Sequence, residues 1–151
     1  MRYYIHIPLP ENLREAVRAI EEEYQGKSSS DPHITIIPPR EIIEGGTEQE
    51  LIEAIELATQ DSIMPAISER RVGYFEDGEG DIQTVYVGLY KTPGLSRLHN
   101  ALVNGVSDIL KPPSGSFTDF QVPHITLATR LYPDSGERAW ATLRNKSFFT
   151  S

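Results

Sequence analysis

Apolar and polar positions alternate along the chain with two different periods. Arg2 to Pro8 reads as a strand, rich in Tyr and Ile and closed by Pro8 and Pro10. Leu13, Ala16, Val17, Ile20 and Tyr24 then recur at helical spacing, with Glu and Arg between them. A polar loop from Gly26 to Asp31 ends that helix, and Pro32 to Ile37 is a β-rich run that Pro38-Pro39 stops. A second helix follows Gly45-Gly46. Thr47 and Glu50 have the spacing of a capping box there, and Leu51, Ile55 and Ala58 continue the apolar stripe. Ile63 to Phe75 reads as one or two strands, and Glu76 to Asp81 as an acidic turn.

Thr84 to Tyr90 puts Val85, Val87 and Leu89 on one face and Thr84, Tyr86 and Tyr90 on the other. Thr92-Pro93 opens a third helix, whose buried side is Leu95, Leu98, Leu102, Val106 and Ile109. Pro112 to Ser116 is a loop and Phe120 to Thr129 a strand. Asp134 with Glu137 caps a last short helix carrying Trp140 and Leu143. This order, β-α-β-α-β followed by β-β-α-β-α, predicts an α+β protein, one domain over residues 1–151. Each half leads a helix through a loop into a similar strand. The expectation is two pseudo-symmetric lobes facing each other across one site, built on antiparallel-rich sheet.

Those two similar strands carry the sharpest signal in the sequence. Pro32-His33-Ile34-Thr35-Ile36 recurs as Pro123-His124-Ile125-Thr126-Leu127, so that two of the four histidines stand in the same context 91 positions apart. Alternate side chains of a strand share a face. His33 therefore projects with Thr35 and His124 with Thr126, while Ile34, Ile36, Ile125 and Leu127 turn into a core. Each strand offers an imidazole and a hydroxyl about 6.5 Å apart. Side by side, the two strands would surround a small ligand with two imidazoles and two hydroxyls. Such a set suits phosphoester cleavage: one ring takes a proton while the other gives one, and the hydroxyls donate to non-bridging oxygens. Proton transfer alone handles attack and departure, so no metal or other cofactor is expected.

Composition narrows the substrate. The hydrophobic share of 38% and charged share of 24% fit a globular chain, and the formal net charge is −8. That charge argues against an extended grip on duplex nucleic acid, which needs a basic face. It leaves room for a nucleotide or RNA end held by a few local donors. No apolar run is long enough for a membrane span and the N-terminus lacks a signal-peptide pattern. With no cysteine there is no thiolate chemistry, and a cytoplasmic monomer without membrane partners is the expectation.

The paired Pro-His-Ile-Thr motifs resemble the two His-x-Thr-x signatures of the 2H phosphoesterase superfamily. That group includes RNA 2′,3′-cyclic phosphodiesterases and the proteins called 2′-5′ RNA ligases. The resemblance spans nearly the whole chain and implies a bilobal α+β fold with a central cleft and no cofactor. By position it makes His33 and His124 the acid–base pair, and Thr35 and Thr126 the phosphate donors. Relatives often carry an arginine five residues past the second histidine, whereas Arg130 here lies six past His124. An even offset keeps Arg130 on the histidine face of a regular strand, so it is the candidate for a further substrate contact. Relatives also continue through a helix into another strand. Here the chain reaches Phe148-Phe149-Thr150-Ser151, and the expectation is either a short lobe or an unusual pairing of the terminus.

Other readings stand beside this one. The motif strands could be ordinary strands with hydrogen-bonded histidines, but that explains neither the repetition nor the threonines. Two distant histidines could ligate a metal, yet no carboxylate recurs at a fixed offset from both, and threonine is a poor zinc ligand. His6 and His99 lack the following threonine and read as structural or solvent-exposed. Tyr86, Tyr90 and Tyr132 either stack a base or fill surface and core. Arg70-Arg71 and Lys91 are too isolated along the chain to make a nucleic-acid patch. Within catalysis, the alternatives to a 2′,3′-cyclic phosphate are 2′-5′ or 3′-5′ oligonucleotides, cyclic dinucleotides and ligation. Outside it stands a non-catalytic RNA-end or nucleotide-binding module.

Overall fold

The computed structural model describes residues 1–25, 31–112 and 123–148. The elements run β1 (Arg2–Pro8), α1 (Glu11–Gln25), β2 (His33–Glu41), α2 (Glu48–Thr59), β3 (Glu69–Glu76), β4 (Ile82–Leu89), α3 (Pro93–Val106), β5 (His124–Ala128) and α4 (Pro133–Leu143). The strands form a five-stranded antiparallel sheet in the order β1-β2-β5-β4-β3, which makes the protein α+β. The two motif strands, β2 and β5, are sheet neighbours although β3, β4 and two helices separate them in sequence.

Short-range signals set the starts of α2 and α3. The Thr47 hydroxyl accepts the Glu50 N–H at 3.1 Å and donates to the Glu50 carboxylate at 3.0 Å, opening α2 as the capping-box spacing predicts. Thr92 caps α3 by accepting the Leu95 N–H at 3.2 Å, with Pro93 in the first turn. The expected cap of α4 needs correction. Tyr132 occupies that position without a side-chain bond, because Pro133 starts the helix and carries Asp134 into its first turn. There the carboxylate faces the positive end of the helix rather than closing it.

Two strand boundaries also differ from expectation. β2 runs through Pro38-Pro39 to Glu41. The fixed φ of proline suits an extended chain, so Pro38 and Pro39 do not end the strand. The strand expected from Ile63 begins only at Glu69. The turn between β3 and β4 is tied by Asp77, whose carboxylate accepts from the N–H groups of Glu79 at 2.8 Å and Asp81 at 3.1 Å. Gly80 supplies its positive φ of 84°. The expected loops over 26–30 and 113–116, the first residues 120–122 of the expected last strand, and residues 149–151 lie outside the described residues.

The chain forms two compact units. One comprises the described residues of Met1–His6, Thr35–Ile67 and Lys91–Gln121. In it α2 packs on α3, and a Cβ at Gly105 would stand 2.7 Å from that of Ala58. The Ile43 N–H donates to the Ile109 carbonyl at 2.9 Å, and Lys111 pairs with Glu41 at 3.1 Å. The other unit comprises the described residues of Ile7–Ile34, Ser68–Tyr90 and Val122–Ser151. Here α1 packs on β5, and α4 on β4 and β3. Ile34, Val72, Val85, Val87, Ile125 and Leu127 are buried on that helix-covered face. Trp140 of α4 meets Tyr74 edge-on at 4.8 Å, and Arg138 lies over the Tyr24 ring of α1 at 5.3 Å. Past α4, Phe148 N–H donates to the Glu69 carboxylate of β3 at 2.9 Å.

Candidate active site

Register decides which side chains meet in the second unit. Ile34 of β2 pairs with Ile125 of β5. In an antiparallel pair the preceding residue of one strand faces the following residue of the other, so His33 lies across from Thr126. Thr126 in turn pairs with Tyr86 of β4, and Tyr86 with Gly73 of β3. In the adjacent row His124 pairs with Gly88 of β4. His33, His124 and Thr126 thus share the face opposite the one that α1 and α4 cover, and all three are half-buried. The two histidines are diagonal neighbours on adjoining strands, about 7–8 Å apart. Thr35, two residues past His33 on β2, belongs to the first unit and is half-buried.

Aromatic rings wall the site beside His124. Tyr86 and His124 lie 5.1 Å apart between ring centroids, Phe75 and Tyr86 4.5 Å, and Phe75 and His124 5.6 Å in an edge-on arrangement. Gly73 makes this possible. A Cβ there would come within 2.6 Å of the Tyr86 phenol, so only glycine lets that ring lie across β3. Sequence alternation had put Tyr86 and Thr84 on the polar face of their strand, but nothing in the sequence says which residue stands across from them. Phe75 and the two glycines become visible only with the register.

The His33 ring is oriented by its own loop. Its Nδ1 lies 2.6 Å from the Asp31 carbonyl, which can only accept, so Nδ1 carries the proton and donates it. In the neutral ring the lone pair is then on Nε2. Asp31 is in turn ion-paired through its carboxylate with Arg18 of α1. Burial pulls the His33 pKa below the ordinary histidine value, and the nearby Glu21 carboxylate opposes that shift in part.

The even-offset argument does not hold for Arg130, because β5 does not stay regular and ends at Ala128. Tyr86 pairs with Thr126 but Val85 with Ala128, so Leu127 and Ala128 form a bulge and the alternation slips by one. Leu127 and Ala128 are both buried, whereas Arg130 is exposed with a positive φ of 54°. The slip brings Thr129 to the histidine side instead. Its hydroxyl meets that of Thr84 at 2.7 Å, and its N–H donates to Gln25 of α1 at 2.9 Å. Thr129 stands five residues past His124, the offset at which relatives often carry arginine.

His6 is exposed and rests 5.3 Å from the Tyr4 ring. Among the described residues no three His, Asp or Glu side chains gather as a metal-binding group, and no helix is long and apolar enough to cross a membrane.

The model of the 2′-5′ RNA ligase superfamily matches residues 9–150. The chain belongs to that superfamily, the 2H phosphoesterases. No curated protein matches the chain. The matched span contains both Pro-His-Ile-Thr motifs, so the strands that register joins in this 2H phosphoesterase are within the family region.

Proposed function

We propose that this 2H phosphoesterase hydrolyses a 2′,3′-cyclic phosphate, or a related RNA or nucleotide phosphodiester, by two-histidine acid–base catalysis without a metal. The observation that carries the reading is the antiparallel Ile34–Ile125 pairing, which brings the twin motifs onto neighbouring strands. His33 is the general base. Its Nδ1 proton is committed to the Asp31 carbonyl and its ring is biased toward the neutral form, so Nε2 takes a proton from water as the water oxygen bonds to phosphorus. His124 is the general acid: the bond from phosphorus to a ribose oxygen breaks, and His124 gives that oxygen a proton. Thr35 and Thr126 donate to the non-bridging oxygens, where charge is held in the transition state. The finer reading of the fold, two pseudo-symmetric lobes within one domain of residues 1–151, belongs to this proposal and is supported by the twin motifs.

The test is hydrolysis of a panel of 2′,3′-cyclic nucleotides in EDTA by wild type, His33→Ala and His124→Ala. Turnover should survive EDTA and fall by roughly 10²–10⁴-fold in each variant. Loss to EDTA alone would sink the metal-free mechanism. Absence of turnover on every cyclic nucleotide would point to oligonucleotides or cyclic dinucleotides, and failing those to a binding module.

A further inference from the structure

The histidine face of the second unit extends past Gly88 to a second bulge. Leu89 pairs with Glu69 and Val87 with Val72, so one residue of β4, Gly88, stands opposite two of β3, Arg70 and Arg71. Leu89 and Val87 are buried on the helix-covered face, which places their partners Glu69 and Val72 there too. Both arginines between them therefore leave from the opposite face, the one His124 occupies. A Cβ built on Gly88 would stand 4.0 Å from the Arg70 Cβ, which places Arg70 on this side of the strand independently. Gly88 is also the partner of His124, and having no side chain it leaves the row between the imidazole and the arginines open.

Charge makes this arrangement informative. Arg70 and Arg71 are exposed, and neither forms an ion pair with a described carboxylate. The carboxylate nearest in sequence, Glu69, is on the other face and accepts from Ser147 and Phe148. Two adjacent guanidiniums repel each other, and a multidentate anion relieves that repulsion while matching their donor geometry. Two strand spacings, about 10 Å, separate the backbones of His124 and the arginines, and long arginine side chains shorten the remaining gap. A phosphate seated between the two histidines stands two strand spacings from the arginines' backbones, which leaves the row beyond Gly88 for another anion.

We propose that Arg70 and Arg71 form a second phosphate subsite, so that the substrate carries a further phosphate beside the scissile one. This inference rests on the proposed hydrolysis at His33 and His124. The competing account is that charged residues and a bulge merely protect β3, which is an edge strand of the described sheet, from pairing with another chain.

Calorimetry with adenosine 3′-phosphate and adenosine 3′,5′-bisphosphate separates the two accounts. Wild type should bind the bisphosphate at least about tenfold more tightly. That advantage should vanish in Arg70→Gln/Arg71→Gln, persist in part in the double lysine variant, and shrink with added salt in wild type. A thermal melt checks that each variant is folded. Equal affinity of wild type for the two ligands would overturn the subsite. So would an advantage untouched by the glutamine variant, or a change in self-association alone. Turnover is read separately, on adenosine 2′,3′-cyclic phosphate with and without a 5′-phosphate and on a dinucleotide ending in a cyclic phosphate. The substrate preferred by wild type but not by the glutamine variant distinguishes a free nucleotide from an RNA end. No turnover with the binding advantage intact defeats the cyclic-phosphate reading and leaves the subsite standing; turnover without any such advantage does the reverse.

Discussion

The Asp31 carbonyl selects which nitrogen of His33 can act. With Nδ1–H committed to it, the proton acceptor is Nε2, and burial favours the form that has the lone pair. A base must be deprotonated to work, so activity climbs as pH rises through its pKa. Because the His33 pKa is lowered, the rising limb of kcat/KM should fall below the ordinary histidine value of about 6.5. A limb at or above that value in a full pH–rate profile would contradict the assignment. The same shift has a stability sign: the unfolded chain binds the proton first, so this contribution is present above about pH 6.5 and is lost as pH falls toward the folded pKa. At Thr126, replacement by Val keeps the shape and removes the donor. We expect kcat to fall by about ten- to a hundredfold with KM little changed, measured by steady-state kinetics on a cyclic nucleotide. These histidines and threonines were legible in the sequence because the motif repeats. Tyr86 was one candidate ring among three, and its place beside His124, like that of Phe75 and the arginine pair, was not legible, since each depends on what stands across from it on another strand.

At the scale of elements, two glycines separate packing from site geometry. Gly136 of α4 is buried against β4, where a Cβ would collide with the Ile82 carbonyl. Backbone cannot yield there without moving the helix, so Gly136→Ala should cost about 2 kcal/mol or more, read from urea unfolding. At Gly73 the obstacle is the far end of the Tyr86 side chain, which can swing away. Gly73→Ala should therefore destabilise less than Gly136→Ala while still lowering kcat/KM, because the ring that walls His124 is displaced. Caps such as Thr47 and Thr92 could be read from the chain because their partners lie three residues away. The two bulges could not, because a bulge is a mismatch between strands distant in sequence. One of them removed the alternation argument for Arg130, and the other hid the shared face of Arg70 and Arg71.

For the whole molecule, the alternation of strands and helices was enough to assign an α+β protein, but not the order of strands in the sheet. Adjacency of β2 and β5 is a long-range choice, made where Ile34 and Ile125 bury together. β5 follows the other four strands in the chain yet sits at the centre of the sheet, between β2 and β4. A fragment of residues 1–112 would leave two strand edges and their apolar faces open. It should give no cooperative unfolding transition by circular dichroism and should aggregate, whereas the full chain unfolds cooperatively. The same placement bears on synthesis. A ribosome that has delivered β1 to β4 has made one histidine of the proposed pair and neither a complete sheet nor a catalyst. Under the proposed function, the nascent chain is inert toward the messenger beside it until residues 124–128 emerge and insert, so that activity arrives in a single late step.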